Sequence, residues 1–249
     1  MIELSPAPAS LPPGRRIYAI GDIHGCARQL ANLHEAIAAD LAERPIASPL
    51  LLHIGDYVDR GADTAGVISR LVDGCPIPGM EMINLMGNHE STMLDAIAGE
   101  RAAGTDWLFA GGKAALESYG IDPEGPRDVW KDRIPADHQE FLRSLILMHR
   151  EGGYAFVHAG VRPHVPLESQ ARDDLLRSRQ PFLYSEADFG AVIVHGHTPV
   201  KVAVVRHNRI AIDTGAVFGG KMTCVVLEAD TLGFLTADPV DAPVPIAHR

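Results

Sequence analysis

The chain has 249 residues, of which 46% are hydrophobic and 22% charged, and its 22 basic and 32 acidic side chains give a formal net charge of −10. This apolar content is enough for the core of a globular domain and excludes a disordered or collagen-like chain. The net acidity argues against a general nucleic-acid binder, because such proteins present an excess of Lys and Arg to phosphates.

The sequence carries no pattern of a targeting or membrane segment. Its apolar stretches are far shorter than the ~20 residues that cross a bilayer. The N-terminus has an early acidic residue, Glu3, and no apolar run, which differs from a secretory signal. The three cysteines, Cys26, Cys75 and Cys224, lack CxxC spacing and fit reduced thiols. We therefore expect a cytoplasmic protein with no membrane partner.

The first half of the chain has the pattern of an α/β sheet. Residues 1–14 are rich in proline and predict an extended, partly disordered leader, followed by a single domain over 15–249. Strands predicted at 16–20, 50–54 and 80–86 alternate with helices predicted at 27–42, 63–73 and 90–98. This alternation predicts βαβ units with parallel strands.

The second half has a helical segment and a second group of strands. Residues 99–150 resemble a helical layer more than a lid, with Trp107, Tyr119 and Trp130 as apolar anchors and a helix predicted at 136–149. Further strands are predicted at 154–158, 191–195, 202–206, 209–213, 222–228 and 231–236. The short turns in this group predict antiparallel hairpins, so we expect mixed sheets.

Five polar clusters each follow a predicted strand. They are GDIHG (21–25), GDYVDRG (55–61), GNHE (87–90), VHAG (157–160) and HGHTP (195–199). Ligands of α/β proteins bind outside the carboxyl ends of the strands, so clusters at five strand ends can meet in one crevice. The first three are spaced like consecutive βαβ units of ~30 residues, which predicts that they lie side by side.

The first three clusters contain oxygen and nitrogen ligands. Asp22 and His24 are two residues apart in extended chain, so both side chains point the same way and can hold one ion. The carboxylate of Asp56 can offer one oxygen to that ion and the other to a second ion, and Asn88 adds a neutral carbonyl oxygen. Alone, Asp22 or Asp56 would more often be a helix cap. The five clusters in order favour a metal site.

The remaining clusters complete this set. His158 and one histidine of HGHTP add nitrogen ligands, and we favour His197 because His195 lies one strand position from the core. His89 diverges from its neighbour Asn88 and can face a substrate. Such a nitrogen and oxygen set suits Mn²⁺, Fe or Zn²⁺. Two such ions ~3.5–4 Å apart can hold a hydroxide that attacks phosphorus in line.

The five clusters, together with IDTGAVF at 212–218, resemble the metallophosphoesterase superfamily. Within it they are nearest to the PPP-type serine/threonine phosphatases, in particular the small ones of bacteria and phages. The resemblance covers nearly all of residues 15–229. It implies an α/β fold of four layers, in which two mixed β-sheets pack face to face with helices on both outer faces.

The resemblance also implies a role for each matching residue. The first metal is bound by Asp22 and His24, the bridging ligand is Asp56, and the second metal is bound by Asn88, His158 and His197. His89 protonates the leaving oxygen, and Asp59 orients its ring. The substrate phosphate is held by Asn88, Arg60 and a second arginine in 175–183. For this second arginine we favour Arg179 over Arg177, although a tryptophan often found two residues earlier is absent.

These roles imply hydrolysis of phosphoserine and phosphothreonine in proteins, with phosphotyrosine as a side substrate and two divalent metal ions, preferentially Mn²⁺, as cofactors. The alternative is a hydrolase of dinucleoside polyphosphates, as in the symmetrical diadenosine tetraphosphatases. Those enzymes tend to have Asp where Glu90 stands and lack the Asp-Arg-Gly of residues 59–61. A scaffold without catalysis is disfavoured, because such relatives lose ligands or the acid histidine and none is missing here.

Overall fold

The structure is a computed structural model that describes residues 2–240, 243 and 244. The other positions of the predicted domain, 241, 242 and 245–249, lie outside the described residues. The helices are α1 (Ala27–Glu43), α2 (Thr64–Val72), α3 (Asn88–Ile97), α4 (Arg101–Trp107), α5 (Lys113–Ser118), α6 (Trp130–Arg133), α7 (Ala136–Ser144) and α8 (Arg172–Arg177). The strands are β1 (Ser5–Pro6), β2 (Arg15–Ile20), β3 (Ser48–His53), β4 (Glu81–Asn84), β5 (Met148–Glu151), β6 (Tyr154–Val157), β7 (Val192–His195), β8 (Val204–Val205), β9 (Arg209–Ala211), β10 (Met222–Glu228) and β11 (Thr231–Ala237).

The first sheet has the strand order β1-β11-β10-β2-β3-β4. Strands β2, β3 and β4 are parallel, with Tyr18 opposite Leu51 and Leu51 opposite Met82. Helices α1 and α2 connect them, as crossovers between parallel strands require. The βαβ prediction is therefore confirmed. On the other side of β2, strands β10 and β11 add an antiparallel pair, which makes the sheet mixed.

The second sheet has the order β5-β6-β7-β9-β8, and its central strands β6, β7 and β9 are parallel. The prediction of antiparallel hairpins is wrong for these three strands and correct for β10 with β11 and for β8 with β9. The connections explain the difference. The long segment 158–191 and the loop that contains β8 each carry the chain back along the sheet before the next strand starts.

Three apolar layers hold the sheets and helices together. The inner layer lies between the two sheets and includes Ile17, Leu50, Leu52, Tyr154, Phe156 and Ile210. The alternate side chains of the first sheet, Tyr18 and Leu51 among them, pack with Leu30 and Leu33 of α1. Val157 of the second sheet packs outward in a smaller layer that includes Leu175 of α8 and Phe182. The four-layer fold implied by the resemblance is therefore confirmed.

The structure differs from the sequence pattern at the N-terminal segment. Residues 1–14 were expected to be a partly disordered leader, but β1 pairs with β11 and the Ala7 amide donates to the carbonyl of Asp230 at 2.8 Å. Leu11 is buried in the inner apolar layer. The prolines keep the segment extended, which suits an edge strand that needs few amide donors.

The helix predicted at 136–149 ends earlier than expected. Helix α7 stops at Ser144, and Met148–Glu151 form β5, which pairs with β6. Leu145 has extended backbone, and the amide of Ile146 donates to the carbonyl of Asn84 at 3.3 Å. Pairing with distant strands therefore overrides the local helical pattern. No helix in the described part of the chain is both long and apolar enough to cross a membrane.

Candidate active site

The polar clusters lie at the carboxyl ends of β2, β3, β4, β6 and β7, and backbone hydrogen bonds join them. The amide of His24 donates to the carbonyl of Asp56 at 2.7 Å, which ties the first cluster to the second. The amide of Gly196 donates to the carbonyl of His158 at 2.8 Å and ties the last two clusters together. The crevice expected from the sequence therefore forms where the ends of the two sheets meet.

Two groups of possible metal ligands share Asp56. Within each group, the ligand atoms lie within 4.8 Å of one another. The first group is His24, Asp56 and His89, and the second is Asp56, His158 and His197. Oδ2 of Asp56 lies 3.4 Å from Nε2 of His24, and Oδ1 lies 3.3 Å from Nε2 of His158. The two oxygens of one carboxylate thus face two different groups, which is the geometry of a bridging ligand.

Asp22 and Asn88 border these groups. Both carboxylate oxygens of Asp22 accept from the backbone amide of His197 at 3.1 Å. Oδ1 of Asn88 lies 3.0 Å from Nε2 of His158. The sequence paired Asp22 with His24, whereas in the structure His89 joins His24 and Asp22 contacts the loop of the second group. All six ligands implied by the resemblance nevertheless line one crevice.

Backbone carbonyls orient two of the imidazole rings. Nδ1 of His24 lies 2.8 Å from the carbonyl of Val58, and Nδ1 of His158 lies 3.0 Å from that of Ile54. A carbonyl only accepts, so in both rings Nδ1 carries the proton and donates. Burial also lowers the pKa of His24 well below its usual value, so its Nε2 carries no proton, which is the form of histidine that binds a metal.

Buried carboxyl groups crowd around Asp56. Burial and the neighbouring Asp213 raise the pKa of Asp22 well above its usual value. Burial and the charge of Asp56 raise the pKa of Glu90 to about 7. Burial opposes protonation of His158, but the charge of Asp56 outweighs it and raises the pKa of His158 to about 9. This excess of buried negative charge, beside the unprotonated Nε2 of His24, fits divalent cations of the Mn²⁺, Fe and Zn²⁺ class.

A hydrogen-bonded chain runs behind the crevice. Nδ1 of His89 lies 2.7 Å from Oδ2 of Asp59, and the indole Nε1 of Trp107 donates to Oδ1 of the same carboxylate at 2.8 Å. All three side chains are buried. Burial lowers the pKa of His89, but the charges of Asp56 and Asp59 outweigh it, so the pKa is raised. The hydrogen bond to Asp59 therefore sets the direction of the His89 ring, and the hydrogen bond from Trp107 in turn holds the Asp59 carboxylate.

The arginines lie at the mouth of the crevice. The guanidinium of Arg60 contacts Nε2 of His24 at 2.6 Å and Nε2 of His89 at 2.9 Å. Nε of Arg179 lies 3.4 Å from Nε2 of His197, whereas Nη2 of Arg177 donates to the hydroxyl of Thr92 at 3.1 Å. Arg179 rather than Arg177 thus faces the second group of ligands.

Five site residues other than glycine have a backbone conformation that is rare for residues with a side chain. His24, Asp56, Asp59, Arg60 and His197 all have positive φ, between 45° and 73°. L-residues rarely adopt this left-handed region. These conformations turn the chain sharply after each strand and aim consecutive side chains into the crevice.

Sequence reasoning missed the roles of Glu90 and Trp107. The carboxylate of Glu90 accepts from the amides of Asp56, Tyr57, Val58 and Gly87 at 2.7 to 3.1 Å. A Glu at the third position of a helix is the signature of a capping box, and this signal was available in GNHE. Trp107 was expected only as an apolar anchor. Trp107 and Asp59 are 48 residues apart in the sequence, so no local sequence pattern indicates their contact.

The hydrogen bond of Trp107 gives a testable expectation. Trp107→Phe keeps an aromatic ring but leaves one oxygen of the buried Asp59 unpaired, so His89 is held less firmly. With His89 as the acid that the resemblance implies, we expect kcat for an alkyl phosphate to fall about tenfold, since hydrogen bonds to charged groups contribute ~1.5–3 kcal/mol. Activity on p-nitrophenyl phosphate, whose leaving group needs no proton, should change much less.

Trp130→Phe is the matched control for this variant. Trp130 is equally buried and stacks edge-to-face on Trp107 with ring centroids 5.3 Å apart, but its Nε1 has no hydrogen-bond partner among the described residues. If both variants lower both activities equally, the indole acts only through packing and the orienting role of Trp107 is wrong.

Comparisons with known proteins agree with this geometry. The family profile described as calcineurin-like phosphoesterase matches residues 15–228. Serine/threonine-protein phosphatase 1 of Salmonella typhimurium is 28% identical over 225 residues, which cover 84% of this chain and 90% of that protein. The symmetrical bis(5′-nucleosyl)-tetraphosphatase of Aromatoleum aromaticum is 34% identical over 151 residues, which cover 59% of this chain and 45% of that protein.

A solved structure gives the same fold. A chain described provisionally as a diadenosine tetraphosphatase matches with a TM-score of 0.68 at 20% sequence identity, over 94% of this chain and 100% of that one. At this identity the likeness is one of fold, and it extends over both sheets.

Proposed function

The chain belongs to the calcineurin-like phosphoesterase family, and from this premise we propose that it hydrolyses phosphoserine and phosphothreonine in proteins, with phosphotyrosine as a side substrate. One observation carries the proposal. A buried His89 and Asp59 pair, with Arg60 beside it, faces two ligand groups that share Asp56. This arrangement combines an acid, a phosphate-binding cation and metal ligands in one crevice.

Two divalent cations, preferentially Mn²⁺, are the proposed cofactors. Asp22, His24 and Asp56 would hold one, and Asp56, Asn88, His158 and His197 the other. When bound, such cations neutralise phosphate charge and make hydroxide available near neutral pH. The buried carboxylates and the unprotonated Nε2 atom of His24 support this assignment.

The arginines bind and orient the substrate. A guanidinium presents a planar fork that matches two oxygens of a phosphate group. Arg60 and Arg179 lie on opposite sides of the ligand groups, next to His89 and His197 respectively. The side chain of Asn88, whose Oδ1 lies 3.0 Å from Nε2 of His158, would contact a phosphate oxygen through its amide nitrogen. Together they fix the phosphoryl group for in-line attack.

His89 is the proposed general acid. Asp59 accepts from Nδ1, so the ring is held with Nε2 toward the crevice. Arg60 donates to this Nε2 in the structure. Once Arg60 turns to a bound phosphate, a protonated His89 stabilised by Asp59 can deliver the Nε2 proton to the leaving oxygen of serine or threonine, whose alkoxide is a poor leaving group. The raised pKa of His89, caused by Asp56 and Asp59, supports this role.

Hydrolysis of dinucleoside polyphosphates is the second candidate. The likeness to the Aromatoleum tetraphosphatase favours it, although the match covers less than half of that protein. Asp59 and Glu90 favour the phosphatase, because the symmetrical tetraphosphatases tend to lack the Asp-Arg-Gly sequence and to have Asp in place of Glu90. In this chain Asp59 orients His89, and the longer Glu90 side chain reaches three amides of the neighbouring loop.

A substrate comparison tests the proposal. We expect kcat/KM for a phosphoserine or phosphothreonine peptide to exceed that for diadenosine tetraphosphate by at least about tenfold, which equals roughly 1.4 kcal/mol of transition-state preference. Both substrates should be measured with one Mn²⁺-loaded preparation at one salt concentration. A higher kcat/KM for the dinucleotide would replace the phosphatase by the second candidate.

A further inference from the structure

Two arginines of the segment 172–177 lie beside the first turns of α3. Arg172 extends a guanidinium nitrogen to within 3.3 Å of the Ser91 hydroxyl, and Arg177 does the same toward the Thr92 hydroxyl at 3.1 Å. Arg179 follows two residues later. We call Arg172 and Arg177, the two arginines that pack on α3, the arginine rim.

The charge of the rim is uncompensated. Arg172 and Arg177 contact hydroxyl groups and the sulfur of Met86, and within the described ranges no carboxylate lies within 4.0 Å of either guanidinium. In contrast, Arg162 nearby forms an ion pair with Asp174 at 3.1 Å. In a chain with a formal net charge of −10, two unpaired arginines side by side are a distinct positive patch.

The rim borders the proposed active site. The Thr92 hydroxyl, which accepts from Arg177, donates to the carbonyl of Asn88 at 2.8 Å. Residues three and four apart on a helix have Cβ atoms ~5–6 Å apart, so Ser91 and Thr92 place the rim about one turn from Asn88. Both arginines are exposed. An anionic group attached to a substrate bound at Asn88 can therefore reach them.

The acidic residues on α8 and α3 form no ion pair with these arginines. Asp173 on α8 and Asp95 on α3 are exposed and form no ion pair within the described residues. The amino end of α3 adds a partial positive charge on the same side. The rim thus remains a site for an added anion.

We infer that the arginine rim binds a second anionic group of the substrate, a carboxylate or a phosphate, next to the phosphoryl group that is hydrolysed. This inference rests on the proposed function and specifies it, because it makes phosphopeptides with acidic residues beside the phosphoserine the preferred substrates. The same chemistry could come from the internal phosphates of a dinucleotide, so the test includes both sources.

The test uses three phosphoserine peptides that differ only in having Glu, Ala or Lys on both sides of the phosphoserine. We expect wild type to prefer the Glu peptide over the Ala peptide by about three- to tenfold in kcat/KM, as two exposed charge contacts allow. The preference should fall at high salt. In Arg172→Ala/Arg177→Ala it should disappear, while kcat/KM for p-nitrophenyl phosphate stays unchanged.

A second double variant controls for net charge. Arg133→Ala/Arg206→Ala removes the same two charges, from α6 and from the loop after β8, where Arg133 contacts the carbonyl of Gly120 and Arg206 pairs with Glu186. This variant should keep the preference for the Glu peptide. Equal loss in both double variants would overturn the inference, because net charge alone would then explain the preference.

Two further outcomes separate the inference from the proposed function. If wild type hydrolyses all three peptides equally well and faster than diadenosine tetraphosphate, the rim inference is wrong and the phosphatase proposal stands. If the dinucleotide is the better substrate and Arg172→Ala/Arg177→Ala slows its hydrolysis, the phosphatase proposal is wrong, and the rim binds a second anion whose source is the nucleotide.

Discussion

Asp56→Asn is expected to lower kcat by at least about a thousandfold. The substitution keeps the size of the side chain but replaces one of the two carboxylate oxygens by an amide group that donates hydrogen bonds. Since Asp56 faces both ligand groups, both proposed cation sites lose affinity together. Bound metal ions stabilise transition-state charge by several kcal/mol, and each 1.36 kcal/mol is a factor of ten in rate.

Metal content and folding should be measured beside activity. We expect Asp56→Asn to bind less Mn²⁺ than wild type while its circular dichroism is retained. Asp63→Asn is the matched control, because Asp63 caps α2 by accepting from the Gly66 amide at 2.8 Å and Asn caps helices as well as Asp. Exhaustive chelation should likewise remove wild-type activity. Full turnover by wild type whose sites are shown to be empty would contradict the two-metal proposal.

The second large effect concerns His89→Asn. It removes the proposed proton donor, so kcat for a phosphoserine peptide should fall by about 10²- to 10⁴-fold, the usual contribution of general acid catalysis. The loss for p-nitrophenyl phosphate should be much smaller, because p-nitrophenolate leaves without a proton. The comparison of the two substrates measures proton donation separately from phosphate binding.

His89 also belongs to one of the ligand groups, so the variant needs a metal measurement. We expect His89→Asn to keep the metal content of wild type. His207→Asn, at an exposed histidine near Glu186, serves as the control and should leave both activities intact. Loss of a metal ion, or equal losses on both substrates, would make His89 a metal ligand instead of the acid.

Most of the site was predictable because its residues follow strands. Asp22, Asp56 and His158 each come directly after, or within three residues of, a buried strand, and the carboxyl ends of parallel strands share one edge. For the clusters after β2, β3 and β4, convergence followed from the predicted parallel topology. For His158 and His197 it was implied by the resemblance, since antiparallel hairpins were predicted for their strands. The arginine assignment was harder, since Arg177 and Arg179 are both exposed and only their contacts with Thr92 and His197 distinguish them.

The remaining features depend on contacts between distant parts of the chain. The approach of Trp107 to Asp59 requires the turn at 108–112, where Gly111 has a φ of 119° and its carbonyl accepts from the Arg60 amide at 3.1 Å. A side chain on Gly111 would collide with Arg60. The hydrophobic pattern indicates neither the turn at Gly111 nor its contact with Arg60. The directions of β6, β7 and β9 are likewise set by long connections and not by local sequence.

The positive φ values at five site residues imply that the conformation needed for activity lowers the stability of the folded protein. Left-handed backbone costs an L-residue roughly 1–2 kcal/mol, and less for Asp and His, which make up four of the five positions. Together the five positions still cost several kcal/mol, a large share of the ~5–15 kcal/mol net stability of an ordinary domain. Glycine would relieve each conformation and remove the side chain that does the chemistry. The free energy that offsets this cost must come from elsewhere in the fold, chiefly from burial of the apolar layer between the sheets. Selection for heat resistance alone would therefore favour glycine at these positions, and the resulting variants would lose activity.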